Sequence, residues 1–178
     1  MRIIVAALVV VMVGLGAIGK THAASDGAES PADAGVLSAA DKTQLLRALA
    51  LEPDAQGQVD NGCGENVRPQ ILPVALGGAL GTAQLVIIGG GPNTLTCNGD
   101  GPGALTLVQR DSTGFRPIFA GRGYLSVLPT RHNGVSDISF GGPGFTFPVL
   151  QWDGQSYVDS GRTISDTEFT AGTVLPKN

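Results

Sequence analysis

Apolar residues occur in three regimes from one end of the chain to the other. The first is the run from Ile3 to Val13, continued by Leu15 to Ile18, preceded by Arg2 and followed by Lys20 and the exit Thr21-His22-Ala23. Charged, apolar, then small is the order of an export signal. The sixteen residues from Ile3 to Ile18 fall short of the roughly 20 that a bilayer span needs, so residues 1–23 are expected to be cleaved, leaving no membrane anchor. The second regime is helical. After a small, polar, flexible leader over 24–35, Ser38 stands as an N-cap with Asp41 three places on. Leu45, Leu46 and Leu49 then share one face, and Glu52-Pro53 marks the end. A helix of this length within 36–52 is marginal alone in water, so its apolar face must dock, on the sheet that follows or on another protein.

From residue 71 the period shortens to two. Gln84 to Ile88, Ala104 to Val108, Phe115 to Phe119, Tyr124 to Leu128, Asp137 to Phe140, Phe145 to Trp152 and Ser156 to Val158 are short apolar runs separated by glycine-rich punctuation. That predicts antiparallel strands in a single β-rich domain over 53–162, with 163–178 as a C-terminal tail. Two stretches also read alike. Leu72-Pro73, Leu85 to Pro92, Leu107 to Asp111 and Gly114-Phe115 are answered by Leu128-Pro129, Asp137 to Pro143, Val149 to Asp153 and Tyr157. Two units are too few for a closed propeller. The expected fold is mainly β: two repeated antiparallel units of three to four strands, packed as a small sandwich or curved sheet and preceded by one short helix.

The chain has 178 residues with 27 Gly, 11 Pro and a formal charge of −4, which becomes −6 once Arg2 and Lys20 leave with the signal. That balance argues against a nucleic-acid partner. Cys63 and Cys97 form an even pair in an exported chain and are expected to make one disulfide, worth about 3 to 4 kcal/mol in the chain-entropy picture. The competing reading, two metal thiolates, lacks donors, because His132 is the one histidine left after cleavage. Neither a metal nor a cofactor is expected. Gly14 to Thr21 fits the phosphate-loop pattern by spelling, but Gly27 and Pro31 interrupt the helix such a loop requires. Asn98-Gly99-Asp100-Gly101 evokes a calcium loop, yet its frame puts Thr96 first and Leu107 last, where acids belong. Glu65, Asp100, Asp111, Asp137 and Asp153 all sit in turn-like settings and read as turn formers.

Two chemistries stay open. His132 with Asp137 and a serine or bound water would make a small hydrolase, although no G-x-S-x-G elbow occurs. The late aromatics offer a contact surface instead. Alternation puts Phe145, Phe147 and Val149 on one face and Pro148, Leu150 and Trp152 on the other. One face must be core; the other is either a ligand face or is covered by the helix bearing Leu45, Leu46 and Leu49. Phe145, Phe147, Trp152 and His132 are therefore the candidate ligand contacts.

Gly141-Gly-Pro-Gly144 after Asp137-Ile-Ser-Phe140, followed by Val149-Leu-Gln-Trp-Asp-Gly154 and Tyr157, resembles the FG-GAP or VCBS-type repeats of exported and cell-surface proteins, over residues 71–158. The calcium loop that precedes such strands is not carried over, since Arg131-His-Asn-Gly-Val-Ser136 lacks its acids. The layout is also similar to that of small bacterial exported proteins. The resemblance implies recognition rather than catalysis. The expectation is a periplasmic or extracellular, non-catalytic binding or structural module contacting an envelope protein or glycan. The alternatives are the His132 hydrolase and an inhibitor or immunity-type protein attracted to a basic exported enzyme.

Overall fold

The structure, a computed structural model, describes residues 35–91, 93–99, 101–142, 144 and 146–177, with the backbone alone for Thr94 and Cys97. The expected signal 1–23, the leader as far as residue 34, Asp100 and Phe145 lie outside the described residues.

Helix α1 (Ala39–Ala48) begins as its sequence requires: the Ser38 hydroxyl accepts from the Asp41 amide at 3.1 Å and donates to its carboxylate at 2.8 Å. The helix ends near Ala50, which takes a positive φ of 55°, before Pro53 is reached. A small hairpin follows, β1 (Val59–Asp60) and β2 (Asn66–Val67), with Cys63 in its loop. The Asn61 side chain shapes that loop by accepting from the Cys63 amide at 2.8 Å.

Four strands then form one antiparallel meander: β3 (Gln70–Gly77), β4 (Gly81–Ile88), β5 (Ala104–Asp111) and β6 (Gly114–Arg122). The short helix α2 (Thr94–Asn98), with Cys97, lies in the β4–β5 connection. A second meander follows: β7 (Tyr124–His132), β8 (Val135–Gly141), β9 (Thr146–Trp152) and β10 (Tyr157–Ser165). Helix α3 (Asp166–Ala171) and strand β11 (Thr173–Leu175) complete the chain, with β11 pairing on the free side of β7. The fold is thus mainly β, with antiparallel sheets of four and five strands preceded by one short helix. The two stretches that read alike each fold as one meander.

The second sheet packs on the first. Alternation turns Ala83, Leu85, Ile87, Leu105 and Leu107 inward from the first sheet, where they meet Leu125, Ile138, Leu150 and Trp152 of the second. Each buried Leu or Ile side chain here contributes about 1.5 to 3 kcal/mol of transfer free energy. Both outer faces are apolar too, and each has its own helix. Leu45 and Leu46 of α1 cover Val86, Val108 and Phe115, and an Arg110–Asp41 ion pair at 2.9 Å fixes the docking. On the other side Phe169 of α3 covers Leu128, Phe147, Val149 and Ile164. The helix with Leu45, Leu46 and Leu49 therefore does not cover the late aromatics, and residues 163–178, expected as a tail, supply the end of β10, a helix and a strand.

Three of the four prolines in the described strands sit where a strand can lose an amide donor; the fourth, Pro148, lies in the central strand β9 beside the register shift of β10 between Asp159 and Thr163. Pro73 lies in β3 and Pro117 in β6, the two edges of the first sheet, and Pro129 lies in the irregular stretch between Val127 and Arg131 of β7. The chain crosses from one sheet to the other through a single residue, Gly123, at φ 93°. Its amide donates to the Gly103 carbonyl at 3.0 Å. Backbone is packed so tightly here that a Cβ on Gly123 would overlap the Gly141 carbonyl, and one on Gly101 would press on the Gly123 Cα.

Candidate functional site

The four candidate contacts do not come together. Trp152 is 4% exposed on the inner face of β9, with its ring edge-on to Tyr157 at 5.7 Å between centroids. Phe147, also 4% exposed, lies on the opposite face, 4.4 Å from the Phe169 ring under α3. Phe145 is outside the described residues. His132 ends β7 at an exposed hairpin whose turn, Asn133-Gly134, takes positive φ at both positions, as a two-residue hairpin loop demands. Its imidazole makes no hydrogen bond among the described residues.

Asp137, the acid considered beside His132, is 2% exposed and takes its hydrogen bond from the Thr130 hydroxyl at 2.7 Å, while its other oxygen is unpartnered. The register break in β7 sets Thr130 near Asp137, whereas His132 pairs with Val135. Asp137 is thus a buried strand residue, not the turn former its surroundings suggest. Asp111 and Asp153 do form turns. The first accepts from the hydroxyl and amide of Thr113, the second from the amides of Ser156 and Gln155. These bonds hold both carboxyls below the ordinary Asp range.

Tyr157 donates to the Ser136 carbonyl at 2.8 Å. Burial, and then the nearby Asp137 charge, push its phenol well above the ordinary 10.0. The folded state therefore favours the neutral phenol more than the unfolded chain does. Stability should be indifferent to this group below pH 10 and fall as pH rises past it. Urea midpoints measured from pH 8 to 11.5 should show that alkaline decline in the wild type and a weaker one in Tyr157→Phe; equal declines would remove Tyr157 as the cause.

Cys63 is half-buried, and no free cysteine occurs among the described residues. No group of three or more His, Cys, Asp or Glu side chains able to hold a metal ion occurs among them either. No described helix is long and apolar enough to cross a membrane.

The concavity that does form was not visible in the spacing of the sequence. Between α3 and the outer face of the second sheet lies an open recess of about 350 Å³, lined by Tyr124, Gly141, Gly142, Phe147, Asp166, Phe169, Thr170 and Val174. Of the expected contacts among the described residues, Phe147 alone belongs to it. The recess exists because α3 is held at a fixed height. Ser165 and Glu168 cap each other reciprocally, the Ser165 amide donating to the Glu168 carboxylate at 2.9 Å and the Glu168 amide to the Ser165 hydroxyl at 3.3 Å. The Ser126 hydroxyl donates to the Phe169 carbonyl at 2.6 Å and ties the end of α3 to β7. Ser165-Asp-Thr-Glu168 before Phe169 is a capping-box signature, the one sequence signal that points to this helix.

A second open hollow, of about 320 Å³, lies between α1 and β3 and is lined by Lys42, Thr43, Leu46, Pro53, Gly57, Arg68, Pro69 and Ile71. Among the described lining residues the two hollows have opposite charge: one acid and no base in the first, two bases and no acid in the second.

What the fold and recess define is an antiparallel β-sandwich with one helix on each outer face. Comparison with models of known protein families, with curated proteins and with solved structures gives no match.

Proposed function

We propose that this protein is an exported, non-catalytic binding module of the cell envelope that holds a small ligand or a side chain of a partner in the recess beneath α3. The recess itself carries the reading: two phenylalanine rings and a tyrosine form an apolar hollow, with Asp166, Thr170 and the glycine backbone of 141–142 as its polar groups. Export is supported by the Arg2, apolar-run, Ala23 order of residues 1–23 and by the cysteine pair.

A Cys63–Cys97 bridge is part of the proposal. The Asn61 side chain donates to the Gly90 carbonyl at 3.3 Å, and the Asn93 amide donates to the Glu65 carboxylate at 3.3 Å, so the loops bearing the two cysteines are already joined. Protein recovered from an expressing host's envelope should begin at Ala24 and show no titratable thiol until reduced. Two free thiols in the native protein would remove the bridge.

The recess is tested with benzyl alcohol as probe. In a two-dimensional NMR titration, shifts should concentrate on Tyr124, Phe147, Phe169 and Val174. Gly142 lines the recess, and a Cβ there meets nothing within 4 Å, so Gly142→Trp should fold normally and abolish those shifts. Shifts that persist in the folded variant, or that never touch these residues, would overturn the site.

A further inference from the structure

Resting on that reading of the recess, we infer that its ligand class is an organic ammonium ion carried on an aromatic or branched apolar body. The lining supplies what such an ion needs and little that another ligand would use. Tyr124, half-buried, offers its ring to a poorly hydrated cation, while Phe147 and Phe169, packed on each other at 4.4 Å, give an apolar floor rather than open ring faces. Asp166 is the single charged residue among the described lining residues. It has no ion-pair partner among the described residues, since the two ion pairs found there engage Asp41 and Asp111.

The neighbouring acid is committed elsewhere. Glu168 is held in the α3 cap by Ser165, and its carboxyl lies below the ordinary range because of those hydrogen bonds, with Arg162 adding a smaller attraction. Thr170 spends its hydroxyl proton on the Asp166 and Thr167 carbonyls at 2.9 and 3.1 Å, so toward the recess it offers acceptor lone pairs rather than a donor. An anion would therefore meet the Asp166 charge with no cation among the described lining residues to offset it, the Tyr124 hydroxyl being the side-chain donor there. A neutral apolar molecule would fill the hollow but leave the Asp166 charge unused. The acidic chain as a whole, with a formal charge of −4, favours approach of a cation at low salt.

The contrasting hollow under α1 provides an internal control. Lys42 and Arg68 line it above Leu46 and Ile71, so an ammonium ion should avoid it and a carboxylate of similar shape should prefer it.

Three probes of one shape and different charge decide the matter on the intact mature chain: benzyltrimethylammonium, benzyl alcohol and benzoate, titrated by NMR at low and high salt. Benzyltrimethylammonium should shift recess residues with an affinity about tenfold above that of benzyl alcohol, and benzoate should not shift them. Asp166→Asn lies in the exposed first turn of α3 and keeps the side chain's size. It should remove most of the ammonium ion's advantage over benzyl alcohol. Equal affinity of the ammonium ion and the alcohol, or a cation preference unaffected by Asp166→Asn, would overturn the inference and leave the recess a binding site. Failure of all three probes to reach the recess would overturn the site as well.

Discussion

Trp152→Ala should lower unfolding stability by about 3 to 5 kcal/mol, the range for a large aromatic removed from a close-packed core. Trp152 fills the space between the two sheets in one buried cluster with Leu150 on its own strand, Ile138 of β8 and Leu125 of β7, so nothing nearby can collapse into the void without moving a strand. Two further contacts would loosen with it. The Tyr157 ring loses its edge-on neighbour, and the Asn133 side chain, which donates to the Trp152 carbonyl at 3.3 Å, loses a fixed acceptor. Urea unfolding followed by near-ultraviolet circular dichroism measures the change. A variant with an unaltered midpoint would mean that Trp152 is not a core residue and would restore it as a contact for a partner.

Gly123→Ala should cost about 3 kcal/mol or more, from two sources that can be separated. An L-residue is strained at φ 93°, and its methyl group would overlap the Gly141 carbonyl at the crossing between sheets. Gly154, at φ 111°, has nothing near its would-be Cβ, so Gly154→Ala reports the conformational part alone and should cost roughly 1 kcal/mol. Gly142→Ala has neither problem and should be near neutral. Equal losses in Gly123→Ala and Gly154→Ala would show that close backbone packing at the crossing contributes nothing.

How much the sequence revealed depended on whether the determinant was local. Ser38, Asp41, Leu45 and Leu46 lie within one or two turns of each other, and the helix they announce forms there. The alternation across Phe147, Val149, Leu150 and Trp152 correctly separated two faces of β9, because side-chain direction in a strand is a property of the strand itself. It could not say what covered each face. Both proved buried, one by the opposite sheet and one by α3. That helix escaped notice because only Phe169 of its six residues is large and apolar, so the capping box had no periodicity to support it. Strand β11 has three residues and owes its conformation to pairing with β7, information carried by Leu125 to Val127 rather than by Thr173 to Leu175. The recess inherits all of this. Its lining comes from β7, the β8 end, β9, α3 and β11, and no spacing along the chain joins Tyr124 to Asp166. His132 and Asp137, five positions apart, looked like a pair, and a register break in β7 gave the acid to Thr130 instead.

The order of strands carries a consequence for how the molecule assembles. Every main strand pairs with one beside it in the chain, and only β11 reaches back past three others to find β7. Each half can therefore complete its hydrogen-bond ladder from nearby residues, a short search for an all-β protein. Neither half is then finished: the ladder leaves Leu85, Leu105 and Leu107 of one and Leu125 and Ile138 of the other facing water until the halves close about Gly123. The apolar inner faces of both halves are covered by each other, so any opening about Gly123 would expose the two together.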